Sequence, residues 1–278
     1  MKTALIDADI LPYEFGGMKE LDEDGNRTDQ VLPWEVVRSM VDDRIQGILE
    51  ATDTSNSILY LTHSPSNFRL SEATILPYKG NRPDHKPEYW DRIREHLIEN
   101  YDATVVRGYE ADDALGIMQY DIMSGWSPKE DYIWDYSVIC SRDKDLNMIP
   151  GWHYVWPAGK QKEQHWFQDQ DSANRCFFKQ LLVGDRSTDN ILGIYGVGDK
   201  AKVVRELDEM TDFLDMFKHV RGVYKNYFGS YYDLFMHENG NLLWILTEKD
   251  TNQWSMMFDY YESLCVAEEL EEALDGTV

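Results

Sequence analysis

Apolar positions along the chain recur with two periods, and the two alternate. Residues 3–7, Thr-Ala-Leu-Ile-Asp, are a short apolar run that ends on an acid, the pattern of a buried strand. Gly16-Gly17 and Asp24-Gly25-Asn26 punctuate residues 13–31 and predict a hairpin or an excursion loop. Pro33-Trp34 opens a helix to about residue 51, with Val36, Val37, Met40, Val41, Ile45, Ile48 and Leu49 on its inner stripe. Residues 57–61 read as a second strand, 88–100 as a helix, 103–106 as a third strand and 110–123 as a helix headed by acids. Residues 136–140 read as a fourth strand, and 154–156 with 164–167 as a strand pair across Gly159. Between these, residues 62–87 are polar, basic and broken by prolines, too irregular for a core element, and 125–135 read as an insertion. From residue 171 onward the pattern is helical, aromatic and acidic.

Alternation of strand and helix predicts an open α/β fold with a mostly parallel sheet flanked by helices. Such sheets bind ligands beyond the carboxyl ends of their strands, where Asp7, residues 110–113 and residues 143–145 would all project. The expected organisation is an α/β core over 1–170, carrying a basic segment at about 64–100, followed by a helical subdomain over 171–278.

Composition narrows the setting. An apolar content of 42% is that of a globular chain, and no apolar run approaches the length of a membrane span. Asp7 and Asp9 interrupt the N-terminal run, so it does not read as a signal peptide. Cys140, Cys176 and Cys265 have no paired spacing, which points to a reducing, cytosolic compartment without structural zinc. A monomer is the default expectation. The net charge of −24 opposes binding to nucleic acid, but it is unevenly spread. Residues 206–278 hold sixteen Asp or Glu against four Lys or Arg, a net −12, while basic residues cluster over 79–86. The acidic region reads either as a solvated helical face or as a dock for a basic partner such as a replication protein.

Glu110-Ala111-Asp112-Asp113 and Ser141-Arg142-Asp143-Lys144-Asp145 gather five carboxylates into two tight clusters. Packed carboxylates repel, and a hard divalent cation with oxygen ligands, Mg²⁺ or Mn²⁺, holds them together at least cost. Each piece alone also has an ordinary reading, as an acidic first helical turn or a solvated Asp-x-Asp turn.

Taken in order, these pieces resemble the flap-endonuclease-like 5′ nuclease family, which includes short phage 5′→3′ exonucleases and the 5′ nuclease domain of bacterial DNA polymerase I. Tyr78-Lys79-Gly80-Asn81-Arg82 is similar to the basic segment at the base of that family's helical arch. Glu110-Ala111-Asp112-Asp113 and Ser141-x-Asp143-x-Asp145 match two of its acidic motifs. Gly184-Asp185 with Asp189-Asn190 and Gly193-Ile194-Tyr195-Gly196-Val197-Gly198 resembles the opening of its helix–three-turn–helix motif. The chain departs from the pattern in two places. His63 stands where the family usually has an acid, and three residues rather than two separate Asp185 from Asp189.

The resemblance implies a PIN-like, flap-endonuclease-like fold and divalent-metal-dependent, sequence-nonspecific 5′→3′ hydrolysis of DNA, or of DNA·RNA, with flap endonuclease capacity. Phage DNA metabolism in a host cytosol is the implied setting. It assigns Asp7, Glu110, Asp112 and Asp143 to a first metal, Asp145, Asp185 and Asp189 to a second, and Asp113 between them. Two such ions ~4 Å apart clamp the attacking and leaving oxygens. Lys79 and Arg82 are expected at the substrate phosphate, and Tyr78 either stacks on an unpaired base or anchors the arch. Gly196, Gly198, Lys200 and Lys202 would bind duplex phosphates at a helix N-terminus, a loop where the family also holds K⁺. His63 either ligates Mn²⁺, accepts from metal-bound water, or has no role. Two other readings stand beside this one: a catalytically impaired flap- or junction-binding protein, and an RNA-directed PIN-like nuclease.

Overall fold

The computed structural model describes residues 2–83, 85–124 and 136–275. The insertion expected at 125–135 lies outside the described residues. The chain forms two compact units: Met1–Asn67 with Pro83–Gln168, and Phe68–Arg82 with Asp169–Val278.

In the first unit, β1 (Thr3–Asp7) is almost wholly buried and leads into a one-and-a-half-turn helix, α1 (Ile10–Phe15). The hairpin read from the glycines is β2 (Lys19–Leu21) paired antiparallel with β3 (Arg27–Val31), turned at Gly25 with φ +80. α2 (Trp34–Thr52) buries Val37, Val41, Ile45 and Ile48 at helical spacing and ends on Asp53 in the left-handed conformation. Val36, expected on that inner stripe, is instead exposed. It lies about 100° around the helix from Val37, beyond the reach of the core.

β4 (Asn56–Asn67) is longer than expected, and it absorbs residues read from sequence as too irregular for an element. It pairs with β5 through Leu61 and Thr62 and then, after a register shift, at Asn67, so its extension depends on a partner strand. It is followed by a short helix of the second unit, α3 (Arg69–Glu72). α4 (Trp90–Tyr101), β5 (Thr104–Gly108), α5 (Ala111–Ser124) and β6 (Ser137–Cys140) complete the alternation. β7 (Gly151–Val155) and β8 (Gln164–Gln168) form the expected antiparallel pair.

The six strands lie in the order β5-β4-β1-β6-β7-β8, parallel except at β8. The chain therefore builds outward from β1 to one side and then to the other. β1 and β6 flank the topological switch point, where strand ends leave a crevice for ligand. Ala4, Ile6, Leu59, Leu61, Val138 and Cys140 pack from the sheet against Val41, Ile45, Ile93 and Leu97 of the helices.

The second unit is helical. α6 (Gln170–Val183) starts at Asp169, whose side chain accepts from the Ser172 amide. A minimal hairpin follows, β9 (Gly184–Asp185) with β10 (Ile191–Leu192), then α7 (Lys202–Arg205), α8 (Phe213–Phe228), α9 (Tyr232–Leu243) and α10 (Gln253–Asp275). Its core is aromatic, with the Phe177 ring centroid 4.8 Å from Trp244 and 4.9 Å from Trp254. The Tyr224 hydroxyl donates to the Leu181 carbonyl at 2.6 Å and accepts from Asn239, so both buried polar groups are satisfied.

Part of the acidic C-terminal region is paired with cations of α8. Arg221 on α8 is buried and donates to Glu262 and Glu269 of α10 at 2.6–2.8 Å and to the Tyr232 hydroxyl at 3.1 Å. Lys218 and Lys225 pair with Glu268 and Glu269. The hydrogen bonds from Arg221 and Lys225 pull the Glu269 carboxyl down to about 2. Removing Arg221 leaves Glu262 half-buried without its counter-charge, so Arg221→Ala is expected to cost ~3 kcal/mol of stability. Urea titration of both forms checks this, and a loss under 1 kcal/mol would show the network to be no more than a surface one.

Candidate functional site

Four residues of the first unit are wired together at the carboxyl ends of β1 and β6. The Ser141 hydroxyl donates to Asp7 Oδ2 at 2.8 Å and accepts from the Asp143 amide at 2.9 Å. Asp143 in turn caps the 3-10 turn Lys144–Met148 by accepting from the Asp145 amide at 2.9 Å. The Ser-x-Asp-x-Asp spacing thus winds one turn in which each side chain fixes the next, with Asp7 as its buried end. Burial pushes the Asp7 carboxyl up to about 8, aided by the charges of Asp9 and Asp143 and opposed by the bond from Ser141. Lys144 Nζ lies 4.0 Å from Asp145 Oδ1, at the exposed end of this corner.

The acidic helix start is built differently. The Ala111 amide donates to the Thr62 hydroxyl at 2.9 Å, fixing the first turn of α5 to β4. Asp113 is fully buried and its Oδ2 accepts from the Glu110 amide at 2.9 Å, a carboxylate reaching back to the helix start. Asp113 therefore has a structural duty, while Glu110 and Asp112 are half-buried at the same end of the helix.

Sequence reasoning passed over Asp9 and Arg94. Asp9 accepts from the Thr62 amide at 2.9 Å and from Arg94 at 2.8 Å, and Arg94 also donates to the Thr62 carbonyl. The guanidinium lies 4.6 Å over Trp90. This bracket ties α4 to the ends of β1 and β4. Its one sequence signal was the repeat of an acid two residues after Asp7. At His63, Arg107 lies 2.9 Å from Nε2. A guanidinium only donates, so Nε2 is the acceptor of this bond.

In the second unit the basic segment closes on one acid. Arg82 donates to Asp189 Oδ1 at 2.7 Å, the Tyr78 hydroxyl donates to Oδ2 at 3.0 Å, and Lys79 Nζ lies 3.9 Å from Oδ1. The backbone joins the clasp: the Lys79 amide donates to the Asp189 carbonyl, and Asn190 donates from its side chain to the Pro77 carbonyl, both at 2.9 Å. Lys79 and Asn190 sit at φ +55 and +61, a left-handed conformation that these bonds hold in place. Tyr78 is buried, so its ring serves as a prop beneath the turn and offers no face for base stacking. Behind it, Glu238 accepts from the amides of Thr74 and Ile75, and Arg69 donates to the carbonyls of Leu242 and Trp244.

Asp185 is buried and accepts from the Thr188 amide at 3.0 Å. The three residues between it and Asp189 form the tip of the β9–β10 hairpin. Beyond it, Gly196 has φ +80, and a side-chain carbon at Gly196 or Gly198 would meet nothing within 4 Å, so the backbone there is open to approach. The helix expected to offer its amides is only the four residues of α7, and Lys202 pairs there with Glu206 at 3.4 Å. Lys200 is exposed, as is Tyr195 at 74%, an aromatic that the sequence reading left unassigned.

The donors in both units are oxygens, which suits a hard divalent cation. Among the described residues, however, no group of three His, Cys, Asp or Glu side chains is gathered around one point. Among them, too, no helix is long and apolar enough to cross a membrane.

No protein-family model and no curated protein matches the sequence. Solved structures are similar in fold. A bacteriophage T5 flap endonuclease, in a pseudo-enzyme–product complex with DNA and metal ions, is 15% identical, with 94% of this chain and 99% of that one covered and a TM-score of 0.60. A T5 protein co-crystallised with metal ions is 16% identical over the same shares, at 0.56. The T5 5′-exonuclease with bound zinc ions is 18% identical over 87% and 89% of the two chains, at 0.54. The resemblance read from the motifs therefore holds for the fold, which is that of the flap-endonuclease-like 5′ nucleases.

Proposed function

We propose that this protein is a divalent-metal-dependent nuclease that hydrolyses DNA from a 5′ end or at a 5′ flap. The observation that supports the reading is the corner at the β1–β6 switch point, where Ser141 ties the buried Asp7 to the turn that carries Asp143 and Asp145. Asp7, Asp143 and Asp145, with Glu110 and Asp112, are the residues that would hold Mg²⁺ or Mn²⁺. Asp185 would hold a second ion in the helical unit. A cation bound at such a cluster supplies Lewis-acid activation of water and neutralises charge on the phosphodiester. The chain's own part is positional. Ser141 aims the Asp7 carboxylate, the Asp143–Asp145 turn presents its oxygens, and Arg94 with Asp9 braces the strand ends.

Lys79 and Arg82 are the proposed phosphate contacts. Their clasp on Asp189 means that phosphate competes with that carboxylate for them, and that Asp189 acts first as their holder. The same clasp favours a second reading, a flap-binding protein without catalysis. Tyr195, Gly196, Gly198 and Lys200 are the proposed duplex contacts, and K⁺ at that loop remains part of the proposal.

Covalently closed circular duplex, linear duplex and a 5′ flap, each incubated with Mg²⁺, Mn²⁺ or EDTA, test the reading. Metal-dependent loss of linear and flap DNA with the closed circle intact is expected. Equal attack on the circle would remove the 5′-end requirement, and binding without cleavage under either metal would establish the second reading. Arg82→Ala should weaken flap binding ~5–10-fold and lower the slope of log K against log salt by about 1. Anisotropy titrations across a salt series measure it, and an unchanged slope would remove Arg82 from the phosphate contacts.

A further inference from the structure

α10 is apolar on two opposite faces. Trp254, Phe258 and Cys265 are buried in the helical unit. Met256, Tyr260, Ser263, Ala267, Leu270 and Leu274 follow one another at alternating spacings of four and three, which places them on a single face of the helix. That face is on the other side from the core. Met256 is 67% exposed, Tyr260 59% and Leu270 60%, with Val266 exposed beside them. The stripe runs ~27 Å along the helix axis, 18 residues at ~1.5 Å each. Alongside it Ser263, Val266, Ala267 and Leu270 line a shallow depression of about 470 Å³.

A helix that packs one stripe into a core is expected to be polar on its outer face, and a stripe there that is apolar except at Ser263, whose hydroxyl is taken up by the Tyr260 carbonyl, marks a contact surface. Its spacing is that of helix-on-helix packing. Charge selects the occupant. Residues 253–275 contain seven Asp or Glu and no Lys or Arg. Glu262, Glu268 and Glu269 are turned to the cations of α8. Asp259 on one flank of the stripe and Glu271 with Asp275 on the other are exposed. A second copy would bring acidic flanks against acidic flanks, and DNA or an anionic membrane would be repelled in the same way.

We infer that the outer face of α10 docks an amphipathic helix of a partner protein whose apolar stripe is bordered by lysine and arginine. This does not depend on the nuclease reading, because α10 carries none of the residues proposed for it.

The test uses the full chain and two synthetic helices with leucine at their a and d positions, one with lysine and the other with glutamate at e and g. Fluorescence anisotropy should show the lysine peptide binding at least ~10-fold more tightly than the glutamate peptide. Met256→Gln with Leu270→Gln should weaken it ~10-fold or more while leaving the circular dichroism unchanged. Asp259→Lys with Glu271→Lys should shift the preference toward the glutamate peptide. Equal affinity for the two peptides, or wild-type affinity in the Gln variant, would overturn the inference. So would sedimentation of the wild-type chain as a dimer that the Gln variant converts to monomer, since a second copy would then cover the stripe.

Discussion

Asp7→Asn is expected to lose at least ~1,000-fold in cleavage rate while keeping its affinity for a 5′ flap. Asp7 is the buried end of the chain of bonds that runs through Ser141 and Asp143. The amide keeps an oxygen near the Ser141 hydroxyl but removes the charge that would hold a cation there, and several kcal/mol of transition-state stabilisation go with it. Stability should move the other way. The Asp7 carboxyl is raised from its ordinary 3.8 to about 8, chiefly by burial and then by Asp9. With a raised folded-state value, its contribution to stability is fully present below 3.8 and is lost as pH rises through about 8. At pH 8 in EDTA, the variant is therefore expected to melt a few degrees above wild type, whereas added Mn²⁺ raises the Tm of wild type alone. Thermal melts in EDTA and Mn²⁺ check both directions. A variant that melts below wild type in EDTA, or gains equally from Mn²⁺, would contradict the role given to Asp7.

Gly184→Ala should be strongly damaging although it leaves charge untouched. Gly184 has φ +74, and an added side-chain carbon would fall 2.6 Å from the Ile191 carbonyl oxygen and closer still to the Gly193 amide. The obstacle on each side is backbone, which no rotamer change relieves. Steric clash and the left-handed φ together are expected to cost ~3–5 kcal/mol. At ~2–4 °C per kcal/mol, the Tm falls by roughly 10 °C. The hairpin that Gly184 opens carries Asp185 and delivers Asp189 to Tyr78 and Arg82, so DNA affinity should fall with it. Gly196→Ala is the control. It shares the positive φ but has open space around it, and its loss should be near 1 kcal/mol. Equal Tm values for Gly184→Ala and wild type would show that the two strands can part without consequence.

Much of the α/β architecture was written in local pattern. β1 ends on its acid because an apolar run that short, entering a sheet, must stop where the chain leaves the core. α2 and the β7–β8 pair followed from spacing and from turn residues. What sequence did not disclose was set by partners. Beyond Thr62, β4 continues to Asn67, which finds Gly108 across a register shift. β9 and β10, two residues each, are held by backbone contact between glycines and leave no periodic trace. In the site, the acids and cations were legible as types but not as pairs. Arg82 and Asp189 are 107 residues apart, and nothing in their own neighbourhoods shows that each would take up the other's charge. Arg94 was hidden in the same way, being one of several charges on α4 until Asp9 is brought beneath it.

The measurement that tests the central claim most directly is release of label from a 5′-labelled flap by wild type and by Asp143→Asn, side by side, with Mg²⁺ and with EDTA. Asp143 is exposed at the turn and its capping bond can be made equally by an asparagine oxygen, so the variant is expected to fold as wild type does. Short 5′ products from wild type in Mg²⁺, none in EDTA, and none from the variant are the predicted result. Undiminished cleavage by Asp143→Asn, or cleavage that EDTA leaves untouched, would contradict a cation-dependent nuclease centre at the β1–β6 corner.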